Sequence, residues 1–145
     1  MDVFLANEQG VALDEPLLAA LARHVLEAED VDPSAELSIL FVGPDHIRRL
    51  NARYAGDDYA TDVLAFPMME DDEEAVLLGD VVVCPEIART NAEKAGGTLD
   101  RELRTLVVHG TLHLLGYDHQ NDAQRAAMEK RTAEVLDAFA RQVTG

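Results

Sequence analysis

The chain has one cysteine, no long apolar run and few basic side chains, and each shortage removes a class of protein. A single thiol, Cys84, permits no disulfide within the chain and excludes the structural zinc sets built on two to four cysteines. Without a disulfide framework, the reducing cytoplasm is the expected compartment. No apolar segment approaches the roughly 18 residues of a membrane span. The opening MDVFLANEQG has neither the basic flank nor the apolar core of a signal peptide, so no membrane partner is expected. Twelve Lys and Arg against 28 Asp and Glu leave a formal net charge of −16, which opposes nonspecific adhesion to duplex DNA or anionic membranes. A short single strand held by a local basic surface and a cation is still compatible with it. Internal repeats, low-complexity tracts and a glycine-rich phosphate loop are missing as well.

What is present fits one compact domain spanning 1–145, with a hydrophobic fraction of 48%. Val3 to Leu5 suggests a short strand and Asn7 to Gly10 a turn. Asp14, Glu15 and Pro16 start a helix whose stripe (Leu17, Leu18, Leu21, Ala22, Val25, Leu26) runs to about Glu29, with His24 beside it as a boundary histidine. Glu36 to Val42 reads as a buried strand. A helix from about Asp45 to Tyr54 turns Ile47, Leu50 and Tyr54 inward and Arg48, Arg49 and Arg53 outward, the densest basic cluster in the chain and a candidate RNA-facing surface. Thr61 to Phe66 and Leu77 to Cys84 are two more strands, separated by an acidic run from Glu70 to Glu74 expected to be an exposed loop. Asp80 is read as a turn residue, with a supporting role toward a metal histidine as the lesser alternative. A helix from Pro85 to about Ala95, a buried central helix from about Asp100 and a last helix capped by Asn121 or Asp122, with Met128, Thr132, Val135 and Phe139 inward, complete the chain. The expectation is an α+β fold, one sheet of about four strands packed with about five helices.

Three of the five histidines fall within His109 to His119, reading HGTLHLLGYDH. His109 and His113 are four apart, so on a helix both imidazoles leave one face about a turn apart and can reach one metal ion. Gly116 stands where a helix can end in a left-handed residue, turning the chain so that His119 approaches the ion from another side. Three imidazoles with a fourth position left to water describe a catalytic zinc site better than a structural one. The offsets match the metzincin pattern H-E-x-x-H-x-x-G-x-x-H, but its general-base glutamate is replaced by Gly110, which removes the usual proton acceptor of peptide hydrolysis. Gly110 costs about 1 kcal/mol relative to Ala inside a helix, so a backbone or substrate passing close to it is expected. Nickel, copper or iron can also occupy three imidazoles.

The motif H-G-x-L-H-L-x-G-Y-D-H at 109–119 resembles the signature of the YbeY family of bacterial rRNA maturation factors. Leu50 with Asn51, then TDVLAFP at 61–67, then LGDVVVC at 78–84 follow that family's order, so the resemblance covers about Asp45 to Asp122. It implies a single-strand-specific, metal-dependent endoribonuclease, usually with one zinc ion, acting in 16S rRNA 3′-end maturation and ribosome quality control in the cytoplasm. The implied metal ligands are His109, His113 and His119, and the implied partners are single-stranded rRNA and the small ribosomal subunit. Two positions depart from the pattern: Ala55 stands where the family has a functional arginine, and Ala65 where it has a serine. Two other readings compete, a metal-stabilised ribosome-assembly protein with little catalysis and a different metallohydrolase. Catalytic groups beyond the metal site and the oligomeric state are not assigned by the sequence, although Asp118 and Asp80 are candidates for proton transfer.

Overall fold

The computed structural model describes residues 1–68 and 76–144. Among them run nine elements: β1 (Asp2–Glu8), α1 (Glu15–Ala28), β2 (Ala35–Val42), α2 (Pro44–Ala55), β3 (Val63–Pro67), β4 (Val76–Val83), α3 (Pro85–Ala95), α4 (Leu99–Leu114) and α5 (Asp122–Thr144). The expected α+β fold is what they form. The strands make one sheet in the order β1-β2-β4-β3, parallel except for β3, which pairs antiparallel with β4. The expected acidic loop from Glu70 to Glu74 lies outside the described residues.

Alternation along β2 and β4 assigns their side chains to two faces. On one face Leu37, Ile39, Phe41, Val81 and Val83 meet Leu18, Ala22 and Leu26 of α1, Ala88 of α3, and Leu103, Leu106 and Val107 of α4. Helix α5 seals the outside of this layer, setting Met128, Val135 and Phe139 against Leu21, Val25, Val108 and Leu112. Among the described residues the other face is covered chiefly by α2, whose Ile47 packs on Val42, Val82 and Cys84, with Ile87 of α3 at its margin. Among the described residues no helix lies over the β1 half of that face, and Phe4 is 53% exposed there.

Local chemistry accounts for most boundaries. Asp14 caps α1 by accepting the N–H of Leu17 at 3.2 Å, and Asn121 does the same for Gln124 at 2.8 Å before α5. Pro16, Pro44 and Pro85 each fill a first-turn position that has no hydrogen bond to lose. β1 is longer than its apolar core, because parallel pairing extends to Asn7↔Phe41 and Glu8↔Val42 and takes the first half of the expected turn, leaving the bend at Gln9 and Gly10. In α2 the inward residue is Asn51, 3% exposed, whose side-chain N–H donates to the Tyr59 carbonyl at 3.1 Å. Tyr54, expected inside, is 60% exposed.

Two glycines are required by close approach. A Cβ on Gly110 would lie 2.5 Å from Cγ1 of Val81, so the helix bearing the histidines sits directly on β4. The close neighbour is therefore the sheet. Gly79 takes φ 135° at an irregularity between Glu36 and Leu37, and a Cβ there would meet the Phe66 carbonyl at 2.2 Å. Asp80 is consequently a mid-strand residue opposite Ser38 and Phe66, and neither of its expected roles applies.

Candidate metal centre

Helix α4 runs through the middle of the helical layer, and its last turns carry His109 and His113 on one face. Both line a cavity of about 530 Å³ together with His119. His119 gets there through the helix end. Leu115 is the cap residue, Gly116 takes φ 105°, the Gly116 N–H donates to the His113 carbonyl at 3.1 Å, and the Tyr117 N–H to the Leu112 carbonyl at 3.1 Å. That is a Schellman closure, and it returns the chain toward the helix face it has just left.

A second anchor holds the same turn. The Tyr117 hydroxyl donates to the Glu29 carboxylate at 3.2 Å, and Arg131 Nε donates to Glu29 at 2.6 Å. The Arg131 guanidinium also reaches the Ala28 carbonyl at 3.2 Å, so the end of α1, the turn and α5 are tied at one point. Burial raises the pKa of the Tyr117 hydroxyl, and the Glu29 charge adds to the rise.

At the site the rings of His113 and His119 lie with centroids 6.0 Å apart, tilted by 52°. One ligand-capable atom from each of His113, Asp118 and His119 falls within 4.8 Å of the other two. His109 shares the cavity without belonging to that tight set. Asp118 accepts the backbone N–H of His119 at 2.7 Å and holds its carboxylate 4.0 Å from the His119 ring. Burial lowers the pKa of His109, with Glu129 and Asp62 pulling it up and His119 adding to the fall.

These residues fit a transition-metal ion. Nδ1 of His113 is buried without a hydrogen-bond partner, and an unmet buried nitrogen costs free energy unless something engages the ring. Low pKa at His109 keeps a lone pair free for bonding. Imidazole and carboxylate donors together suit zinc and its first-row neighbours.

Three charged groups in the cavity wall escaped the sequence reading: Asp62, Arg125 and Glu129. Asp62 precedes β3, where its carbonyl accepts the Cys84 N–H at 2.9 Å and its carboxylate accepts from Asn91 at 3.4 Å. Arg125 and Glu129 stand one turn apart on α5, a spacing common on any exposed helix and therefore silent in the sequence. Ala65 also lines this wall. Asp80 does not; it borders a separate cavity beyond the sheet. Of the three arginines of α2 none lines the histidine cavity, and Arg48 is engaged with Asp58 at 3.0 Å. Cys84 is fully buried, with its thiol pKa pushed up by desolvation, as expected of a packing residue.

A family model described as Endoribonuclease YbeY matches residues 4–140. A protein of that name from Frankia casuarinae is 48% identical, covering 96% of this chain and 75% of the relative. One from Thermobifida fusca is 41% identical over 99% of this chain and 97% of its own length. A Thermotoga maritima protein with a known solution structure aligns with a TM-score of 0.63 and 30% identity, over 97% of this chain and 93% of that one.

Proposed function

The chain belongs to the YbeY endoribonuclease family, and from that premise we propose that it is a metal-dependent endoribonuclease acting on single-stranded rRNA. The observation that carries the reading is the convergence of His109, His113 and His119 on one cavity with Asp62 and Glu129 in its wall.

In this reading the three imidazoles hold one zinc ion. When bound, the ion supplies an acidified water and a positive charge for a phosphodiester oxygen. Asp118 orients His119, since its carboxylate already grips that residue's backbone N–H. Asp62 and Glu129 are the carboxylates available to take a proton from the attacking oxygen, the task left open by Gly110. Arg125, on the same wall, is placed to neutralise a phosphate. Ala55 lies one turn beyond Asn51, which lines the cavity, and carries no charge to offer there, so the cation this reading relies on is Arg125. Among the described residues no helix is long and apolar enough to cross a membrane, in keeping with action on cytoplasmic ribosomal subunits.

The test is cleavage of a single-stranded rRNA fragment by zinc-loaded protein beside His109→Ala. Loss of a ligand should lower the rate by about 100-fold or more. Equal cleavage by both preparations would sink the proposal. Metal content of untagged protein purified without chelator reports which ion is carried.

A further inference from the structure

The sheet face opposite the histidines holds a cavity of about 690 Å³, larger than the histidine cavity and not used by the mechanism. Its floor is the strand row Phe4, Ser38, Asp80 and Phe66, and one wall is the α2 stripe His46, Leu50, Tyr54. Tyr54 meets Phe66 edge-on, centroids 5.3 Å apart, and both Tyr54 and Phe4 keep more than half their surface exposed. On the floor Asp80 is half-buried and its carboxylate makes no hydrogen bond or ion pair among the described residues. An apolar, aromatic-walled hollow with an unpartnered carboxylate at its base matches a flat ligand that carries N–H donors on one edge.

The rim supplies the complementary charge. With about 100° per residue, Arg53 and Arg49 stand about 60° and 100° from Leu50 on one side of α2, while Arg48 stands about 160° away. The Arg53 guanidinium already lies 5.3 Å from the Tyr54 ring centroid. Arg53 thus borders the cavity through Tyr54, Arg49 follows it on the same side of the helix, and Arg48 is paired with Asp58. A polyanion with an unstacked base fits both features: base inward on the rings, phosphates outward on the arginines.

We propose that this cavity binds a guanine base of single-stranded RNA. The Asp80 carboxylate accepts from the guanine N1–H and the exocyclic amine, Tyr54 and Phe4 stack on the ring, and Arg49 and Arg53 hold the flanking phosphates. Adenine and cytosine do not offer two adjacent donors to a carboxylate, which makes the subsite selective. Strand β3 is the edge of the sheet and contributes to both cavities, so one RNA strand passing around that edge can occupy the two together. The inference rests on the endoribonuclease reading and adds a place where the substrate's sequence is read.

The experiment titrates GMP, AMP and CMP into isotope-labelled full-length protein and follows amide shifts. GMP should move Ser38, Leu40, Tyr54 and Asp80, and Asp80→Asn should weaken it by about 10-fold. For a guanine-containing oligoribonucleotide, Arg49→Ala/Arg53→Ala should flatten the logarithmic salt dependence of binding by about 1.4. Cleavage of a dinucleotide by the same variants should match the unaltered protein. Shifts confined to the histidine cavity, equal binding of all three nucleotides, or an Asp80→Asn variant with unchanged affinity would each overturn the subsite. Loss of dinucleotide cleavage in the unaltered protein would instead strike the endoribonuclease reading.

Discussion

The two faces of the sheet are built from the same strands and finished in opposite ways. Beneath α1, α3 and α4 the face is closed: Leu37, Ile39, Phe41, Val81 and Val83 are all at most 1% exposed. On the far side α2 covers only the β3–β4 half, and Phe4, Tyr54 and Met68 remain largely open. Each of α1 and α4 has an apolar stripe wide enough to bury, whereas α2 buries only Ile47 and Asn51. Closure gives the histidine-bearing helix a rigid seat, and incomplete cover among the described residues leaves aromatic side chains exposed on the other face.

The largest test of this contrast replaces one phenylalanine on each face. Phe41→Ala should cost about 3–5 kcal/mol, since a fully buried ring leaves a cavity that its neighbours cannot fill. Phe4→Ala, at a site already half in water, should cost about 1 kcal/mol or less. Comparable losses in urea unfolding would mean that the far face is covered in solution, and the contrast would fail.

Next in size is Gly110→Ala. Helix propensity alone favours alanine by about 1 kcal/mol, but the new methyl would stand 2.5 Å from Val81 Cγ1. Overpacking of that kind costs about 1–3 kcal/mol, so the variant should unfold at lower denaturant. Adding Val81→Ala should recover part of the loss. Stabilisation by Gly110→Ala alone would show that α4 is not pressed against β4.

Glu29→Gln probes the tie between the closed layer and the turn that carries His119. It weakens a half-buried pair, 2.6 Å between Arg131 Nε and Glu29, and should cost about 1–2 kcal/mol. Its more specific reading is the visible spectrum of the cobalt-substituted protein. Displacement of His119 should change the band pattern there, and an unchanged spectrum would mean that the Schellman closure positions the turn unaided.

The sequence exposed whatever rests on local periodicity or capping. The α1 stripe, the Pro85–Ala95 helix and the left-handed Gly116 were all legible because each is decided within a few residues. The contents of the histidine cavity were legible only in part. His109, His113 and His119 are close in sequence, whereas Asp62 and Glu129 are separated by 67 positions and meet the histidines only once β3 and α5 flank α4. Tyr54 was placed inside because helical spacing from Ile47 and Leu50 permits it; which side of that stripe meets the sheet is settled by tertiary packing, and Asn51 took the buried position. Asp80 was read as a turn residue because it stands near the start of the expected strand, yet β4 begins at Val76 and pairs through it on both sides.

The smallest effect concerns the closed side itself. His24, beside the α1 stripe as expected, lays its ring against Phe139 of α5 with centroids 5.6 Å apart, and its Nε2 is buried without a partner. Close packing has therefore desolvated this nitrogen, like Nε of Arg104 on α4, with no bond in return among the described residues. His24→Phe keeps a ring at that contact and removes the unmet nitrogen. It should raise stability by up to about 1 kcal/mol, or about 2–4 °C in Tm for a chain of this size. Cleavage should be unchanged, because His24 is not in the wall of the histidine cavity. A lower Tm would mean that the nitrogen has a partner in solution and that α5 sits less tightly on α1 than the packing of Val25, Val135 and Phe139 implies.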